Sequence, residues 1–319
     1  MSGVIVSVKG RYAVLLTKNS DFIKVKNKNY SVGDKVKIPQ YKGQILAAAT
    51  SFIVVCGGIS SYFVPAKIYV QGGKTYIVST DDGANAAGDE PTENAITLSS
   101  DDIAEFAGPG GFGGGNQGPN WGGEDSSSYG YLEVSGGLLY IEAEGDGFDS
   151  NGDGVITGGI VLVNGPTSGG NGVFDVGDNN NTLTITGGIV IGAGTSDMAV
   201  TPTKATNSQY YVVASGSSSS GGGGGFGGHS SSSSSSGFST QATGKAFQLT
   251  DSSGNEIVTY VPSKQYSWVL VSTPEMSSDT YTLNYGGSVT GGTFTNGNYG
   301  LVTDGTYSCS STISLSAKQ

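Results

Sequence analysis

The chain opens with short runs in which apolar and polar positions alternate. Val4-Ile5-Val6-Ser7-Val8, Tyr12-Ala13-Val14-Leu15-Leu16-Thr17 and Phe22-Ile23-Lys24-Val25-Lys26 are separated by Lys9-Gly10 and by Asn19-Ser20-Asp21. A period of two, bounded by turn residues, predicts strands. A fourth strand is predicted where Val32-Gly33-Asp34-Lys35 turns into Val36-Lys37-Ile38. Residues 1–42 therefore read as a small β domain, a miniature barrel or curled sheet near the lower size limit for independent folding.

The pattern then changes. No charged residue occurs from Gly43 to Ala66, and residues 45–64 are mostly apolar or small. Twenty residues at helical rise cover about 30 Å, the thickness of the hydrocarbon core, which predicts one transmembrane helix. A buried core helix of that length would show polar breaks, and a signal peptide would stand closer to the N-terminus.

Beyond the span, residues 67–289 carry internal repeats. Gly72-Gly73-Lys74-Thr75-Tyr76-Ile77 returns as Gly136-Gly137-Leu138-Leu139-Tyr140-Ile141. Nine residues after each Gly-Gly step stands an acidic turn, Asp82-Gly83-Ala84-Asn85 or Asp146-Gly147-Phe148-Asp149. Further Gly-Gly steps end at Gly159 and Gly188, at intervals of 22 and 29 residues. Strand, corner, strand, corner at that period predicts the rungs of a right-handed parallel β-helix-like domain. Ile77, Ile141 and Val163 would then stack in one inward column, and a β-sandwich is the alternative fold. Two stretches, 108–128 and 215–239, have few apolar residues to offset ordering entropy and predict flexible insertions. Residues 290–319 predict a further strand pair. The fold class is mainly β.

Charge sharpens this division. Nine of the 15 basic residues but only two of the 26 acidic ones precede residue 45, giving +7 there and −18 over the remainder. A basic flank before a span predicts a cytoplasmic N-terminus and an extracellular C-terminal domain at the cell membrane. The acidic part repels nucleic acid, and the N-terminal lysines are scattered among few aromatics, so no direct nucleic-acid contact is expected. A basic β module resting on anionic lipid headgroups is the plainer alternative for the N-terminus. Cys56 and Cys309 fall on different levels of this arrangement, so no disulfide is expected.

Gly3-Val4-Ile5-Val6, residues 10–17, Phe22-Ile23-Lys24-Val25-Lys26 and Tyr30-Ser31-Val32-Gly33-Asp34-Lys35-Val36 resemble, in order and spacing, the N-terminal domain of RsgI-type anti-sigma factors. The likeness runs on through the span to residue 64. It implies a cytoplasmic domain that holds a sigma-I-like RNA polymerase sigma factor at the membrane until an outside signal arrives. Arg11, Tyr12, Phe22, Lys24 and Lys26 are the contact residues it implies. One departure is that no Asn-Pro dipeptide follows the span.

Residues 70–288 resemble clostridial surface proteins labelled carbohydrate-binding-domain-containing. The likeness is carried by Ser79-Thr80-Asp81-Asp82-Gly83-Ala84-Asn85-Ala86, residues 145–153, Val163-Asn164-Gly165-Pro166, residues 194–199 and residues 259–266. It implies an extracellular polysaccharide as ligand. Together the two resemblances imply a membrane-bound anti-sigma factor with an outer polysaccharide sensor. The alternative is a surface adhesin or cell-wall- or glycan-binding protein without a regulatory role.

The residues themselves offer three chemistries. Sugar binding needs exposed ring faces beside carboxylates, for which Tyr76, Tyr140, Glu142 and Trp121 are the candidates, with a structural stack as the competing account of the tyrosines. Asp149, Asn151 and Asp153 alternate as in the opening of a calcium loop. The twelfth position is Ile160, so no EF-hand forms; either calcium sits in a corner of the solenoid, or Asp, Asn and Gly are there for the turn. An enzyme is not expected. Beyond the span there is no arginine, and His229 lies in a serine run, which leaves little for lyase chemistry.

Overall fold

The computed structural model describes residues 2–9, 12–17, 22–26, 29, 35–37, 67–86, 95–98, 102–105, 130–177, 180–216 and 237–319. The chain divides into two units, Met1–Phe52 and Ile53–Gln319. Among the described residues it is mainly β with no helix, and so has no helix long and apolar enough to cross a membrane. The predicted span at 45–64 lies outside the described residues.

The first unit is one antiparallel sheet of β1 (Ser2–Lys9), β2 (Tyr12–Thr17), β3 (Phe22–Lys26) and β4 (Lys35–Lys37), in the order β3-β2-β1-β4. These are the four runs of alternating residues. Lys9 pairs with Tyr12, which leaves a two-residue connection, and the β1–β2 register shifts between Ile5 and Ser7. Such a shift bends a strand, as a curled sheet requires.

The second unit begins with β5 (Lys67–Val70), β6 (Lys74–Ser79), β7 (Ala84–Ala86), β8 (Ala95–Leu98) and β9 (Asp102–Glu105). The next turns of chain are β10 (Tyr131–Val134), β11 (Leu138–Ala143) and β12 (Phe148–Ser150), then β13 (Asp153–Ile156), β14 (Ile160–Asn164) and β15 (Phe174–Val176). β16 (Leu183–Ile185) and β17 (Ile189–Gly194) make a last one. Each turn contributes one strand to each of two or three sheets, and within each sheet the strands of these turns run parallel. The first sheet is ordered β16-β13-β10-β5-β8 and the third β15-β12-β7. The second contains β17-β14-β11-β6-β9.

Register explains the repeat. Ile141 pairs with Ile77 on one side and Val163 on the other, and all three are buried. They belong to one apolar interior with Ile68, Leu132, Phe148, Phe174 and Leu183. A single turn cannot bury its apolar face alone, so stacking supplies the stability. The Gly-Gly corners stack as well. Gly137 has φ +75°, and a Cβ there would lie 2.4 Å from the carbonyl carbon of Gly72 in the adjoining turn. Only glycine fits both the angle and the space.

Stacking order departs from chain order. β8 and β9 lie on the outer side of β5 and β6, while β10 and β11 pair on their other side. The turn at 67–86 is therefore sandwiched between its two successors.

The rest of the unit is antiparallel: β18 (Tyr211–Ser215), β19 (Ala246–Thr250), β20 (Glu256–Val261), β21 (Trp268–Ser272), β22 (Thr280–Asn296), β23 (Tyr299–Ser308) and β24 (Ser311–Ser316). β21 and β18 extend the second sheet, and the others form a sheet ordered β19-β20-β23-β22-β24. Phe247, Leu249, Tyr260, Tyr281 and Leu283 of that sheet share a core with Tyr140, Leu162 and Ile191 of the second sheet. The boundary expected at residue 290 falls inside β22, one 17-residue strand, so the tail is part of this covering sheet. Phe238, within the stretch read as a flexible insertion, is buried 4.8 Å from the ring of Tyr285. Phe238 supplies an apolar anchor that the composition of 215–239 hides.

Candidate functional site

In the first unit, Tyr12 pairs with Lys26, and Phe22, Lys24 and Lys26 alternate along β3. Residues directly opposite in an antiparallel pair share a face, so these four positions fall on one face of the sheet. Arg11 lies outside the described residues.

In the second unit two tyrosine pairs stack across adjoining turns, on different sheets. Tyr76 and Tyr140 are paired in register with ring centroids 5.7 Å apart. Tyr140 is 0% exposed, and its hydroxyl donates to Glu142 Oε1 at 2.7 Å. The Tyr76 hydroxyl donates to the carbonyl of Thr295 at 3.1 Å, in the covering sheet. The pair expected to face a sugar is thus built into the seam between two sheets, and the buried ring of Tyr140 offers no face to one. Trp121 lies outside the described residues. Trp268 is buried against Phe174.

Tyr69 and Tyr131 form the other pair, 5.8 Å between centroids and tilted by 52°. Both are half-buried on the outward side of the first sheet. The Tyr131 hydroxyl donates to Glu133 Oε2 at 2.9 Å, and burial together with that carboxylate pushes its pKa up to about 12. It therefore stays a neutral donor at physiological pH. Register places Glu133 beside Tyr69, and Lys67 and Asp153 on either side of Tyr131. This is a surface of two ring faces flanked by carboxylates. The signal for it was the alternation in Lys67-Ile68-Tyr69-Val70 and Tyr131-Leu132-Glu133-Val134, which marks a half-buried strand.

A third arrangement lies at the corner leading into the third sheet. Carboxylate oxygens of Asp82, Asp146 and Asp149 all lie within 4.8 Å of one another. Equal offsets from stacked Gly-Gly steps bring the first two together: Asp82 Oδ1 accepts from the backbone N–H of Asp146 at 2.8 Å. Asp82 Oδ2 accepts from Asn85 at 2.8 Å, and Asp146 accepts from the backbone N–H of Gly172. Asp149 pairs in register with Asn85 and Asp175, is 8% exposed, and accepts no hydrogen bond among the described residues. Burial raises the pKa of all three, to about 6 for Asp146, and for Asp149 the charges of Asp82, Asp146 and Asp175 raise it further.

Of the expected metal ligands Asp149, Asn151 and Asp153, only the first lies in this cluster. Asn151 is exposed at the corner, where its backbone N–H donates to Ala86. Asp153 lies on β13 and accepts from the N–H and hydroxyl of Thr182, at 2.7 and 3.0 Å. The corner after Ser150 sends Asp149 and Asp153 to different sheets, so the partners of Asp149 come from neighbouring turns. Three desolvated carboxylates need protons or a cation, and an all-oxygen set suits a hard ion such as calcium. The residues fit that ion.

Residues 1–39 match the family model described as anti-sigma factor N-terminus. The match supports an anti-sigma role for the first unit and implies a sigma factor as its partner. No curated protein and no solved structure gives a significant match to the chain.

Proposed function

We propose that the chain is a membrane-bound anti-sigma factor that sequesters a sigma-I-like factor and senses an extracellular polysaccharide. The observation that carries the first part is the match over residues 1–39. The uncharged stretch at 45–64 and the change from +7 to −18 across it support a single span with a cytoplasmic N-terminus. The second unit, read as a right-handed parallel β-helix-like domain with an antiparallel cover, is the sensor. Its glycan surface is the open face of the first sheet, where sugar C–H groups stack on Tyr69 and Tyr131 and hydroxyls donate to Glu133 and Asp153. Asp82, Asp146 and Asp149 would hold a calcium ion, which would tie adjoining turns together. The outer unit binds and does not cleave.

The test of the regulatory half is direct. Full-length protein in detergent is immobilised and offered purified sigma factors of the host one at a time. Retention of a sigma-I-like factor is expected; failure to retain any sigma factor overturns the reading.

A further inference from the structure

We infer that a cleft at the seam between the second sheet and its antiparallel cover is a separate subsite for a single neutral oligosaccharide. This deepens the polysaccharide-sensor reading and rests on it. The cleft is broadly open to solvent and has a volume of about 510 Å³, within the range of small-ligand sites. One wall is Glu142 and Glu144 at the end of β11, with Thr167 beyond β14. Ser263, Lys264 and Gln265, just after β20, and Thr243 complete the lining.

The walls are held before any ligand arrives. Asn164, 0% exposed on β14, donates to the carbonyl of Ile141 at 3.2 Å. Its Oδ1 accepts from the Tyr260 hydroxyl at 2.9 Å and from the backbone N–H of Ser263 at 3.1 Å. One buried amide thus ties the Ser263–Lys264 turn to the stack of parallel strands. The Tyr140 hydroxyl engages Oε1 of Glu142 and lies within reach of the Ser263 and Asn296 side chains, and Lys264 pairs with Glu144 through Oε1. Oε2 of each carboxylate is left without a hydrogen bond among the described residues.

The lining selects a ligand class. It contains no aromatic face, so recognition is by hydroxyl groups and not by stacking. Vicinal sugar hydroxyls donate to Glu142 and Glu144 and accept from Lys264 and Gln265, with charge-assisted bonds in both directions. Two carboxylates against one ammonium leave the cleft negative, within a region carrying −18, which disfavours uronates and other polyanions. The ammonium of Lys264 already neutralises Glu144, which disfavours a metal ion in the same place. The open tyrosine face takes a polymer surface, and the cleft takes one chain.

The experiment uses the full-length protein in detergent, with neutral oligosaccharides (cello-, xylo- and manno-series) and oligogalacturonate as soluble probes, read by titration calorimetry. Insoluble polysaccharide pull-down is run in parallel. We expect one neutral series to bind and oligogalacturonate to bind more weakly or not at all. Lys264→Met and Glu142→Gln should each weaken that binding by about tenfold or more, the usual effect of losing one charge-assisted hydrogen bond. Retention on insoluble polysaccharide should be unchanged in both, which also shows that the variants are folded. Unchanged affinity in both variants, or tighter binding of oligogalacturonate, overturns the cleft assignment. So does retention of insoluble polysaccharide without binding of any soluble probe. If the wild type binds neither form of glycan, the polysaccharide-sensor reading itself falls, and the cleft with it.

Discussion

The two broad faces of the parallel stack carry the same motif and have opposite fates. Each presents a tyrosine pair bridging the turns at 67–86 and 131–150, with ring centroids 5.8 Å apart on the first sheet and 5.7 Å on the second. On the first sheet, β5, β10, β13 and β16 alternate buried and half-buried positions, as in a sheet wet on one side. On the second, β11 and β14 are buried over nearly their whole length, because the antiparallel sheet lies on them. An aromatic ladder is therefore a packing element or a binding surface according to what covers it. The residues of the ladder do not decide this.

The largest test of that contrast is Tyr140→Ala. Truncating a fully buried aromatic removes its burial and leaves a cavity, which costs about 3–5 kcal/mol. Here it also strips Glu142 of its donor. Denaturant unfolding should show the loss as a lower midpoint at unchanged slope. A loss below about 1 kcal/mol would mean that the covering sheet is not packed on this face in solution.

Much of this architecture was readable in the chain, and the reason is local. The four N-terminal strands followed from alternation, and the Gly-Gly corners from a conformation only glycine supplies. The column of Ile77, Ile141 and Val163 followed from equal distances to those corners. Three features were not readable. The cover over the second sheet depends on β19, β20, β22, β23 and β24 folding back onto residues as much as 219 positions earlier, which no local period reports. The displacement of β8 and β9 to the far side of β5 and β6 is likewise a choice between two open edges with the same pattern. The acidic corner was half legible: nine residues separate Gly-Gly from Asp in both repeats, which implies that Asp82 and Asp146 stack. Reading 149–153 as one linear loop obscured it, because the chain changes sheet within that loop.

The corner provides the next effect in size. Burial raises Asp146 to about 6, and Asp82 and Asp149 also lie above the ordinary carboxylate value of about 3.9. The folded state therefore holds these protons more tightly than the unfolded chain. Without metal, stability should fall as pH rises above about 4, through about 6 for Asp146 and through the raised values of Asp82 and Asp149. Calcium replaces the protons, so millimolar calcium should raise the melting temperature at pH 7.5 and have little effect at pH 4.5. Asp149→Asn removes the charge that has no hydrogen bond; it should raise the metal-free melting temperature at pH 7.5 by a few degrees and abolish the calcium increment. A melting temperature that rises with pH across this window, or that ignores calcium and chelator at pH 7.5, would show the corner to be a turn and nothing more.

The smallest effect on stability is also the most specific. Tyr131→Ala lies on the face that no described strand covers, where truncation removes a half-buried ring, one partner of a 5.8 Å aromatic pair and the donor to Glu133. None of these is enclosed, so the unfolding midpoint should correspond to a loss of about 1 kcal/mol or less. Its effect should appear instead in retention on insoluble polysaccharide, which depends on ring faces held at a fixed tilt. Tyr131→Phe keeps the ring and loses only the hydroxyl, so it should retain most of that binding. Tyr131→Ala and Tyr69→Ala should each lose it. Should Tyr131→Ala bind polysaccharide as well as the wild type while Tyr131→Phe unfolds early, the open face would have to be reassigned to structure, and the two faces would differ in exposure alone.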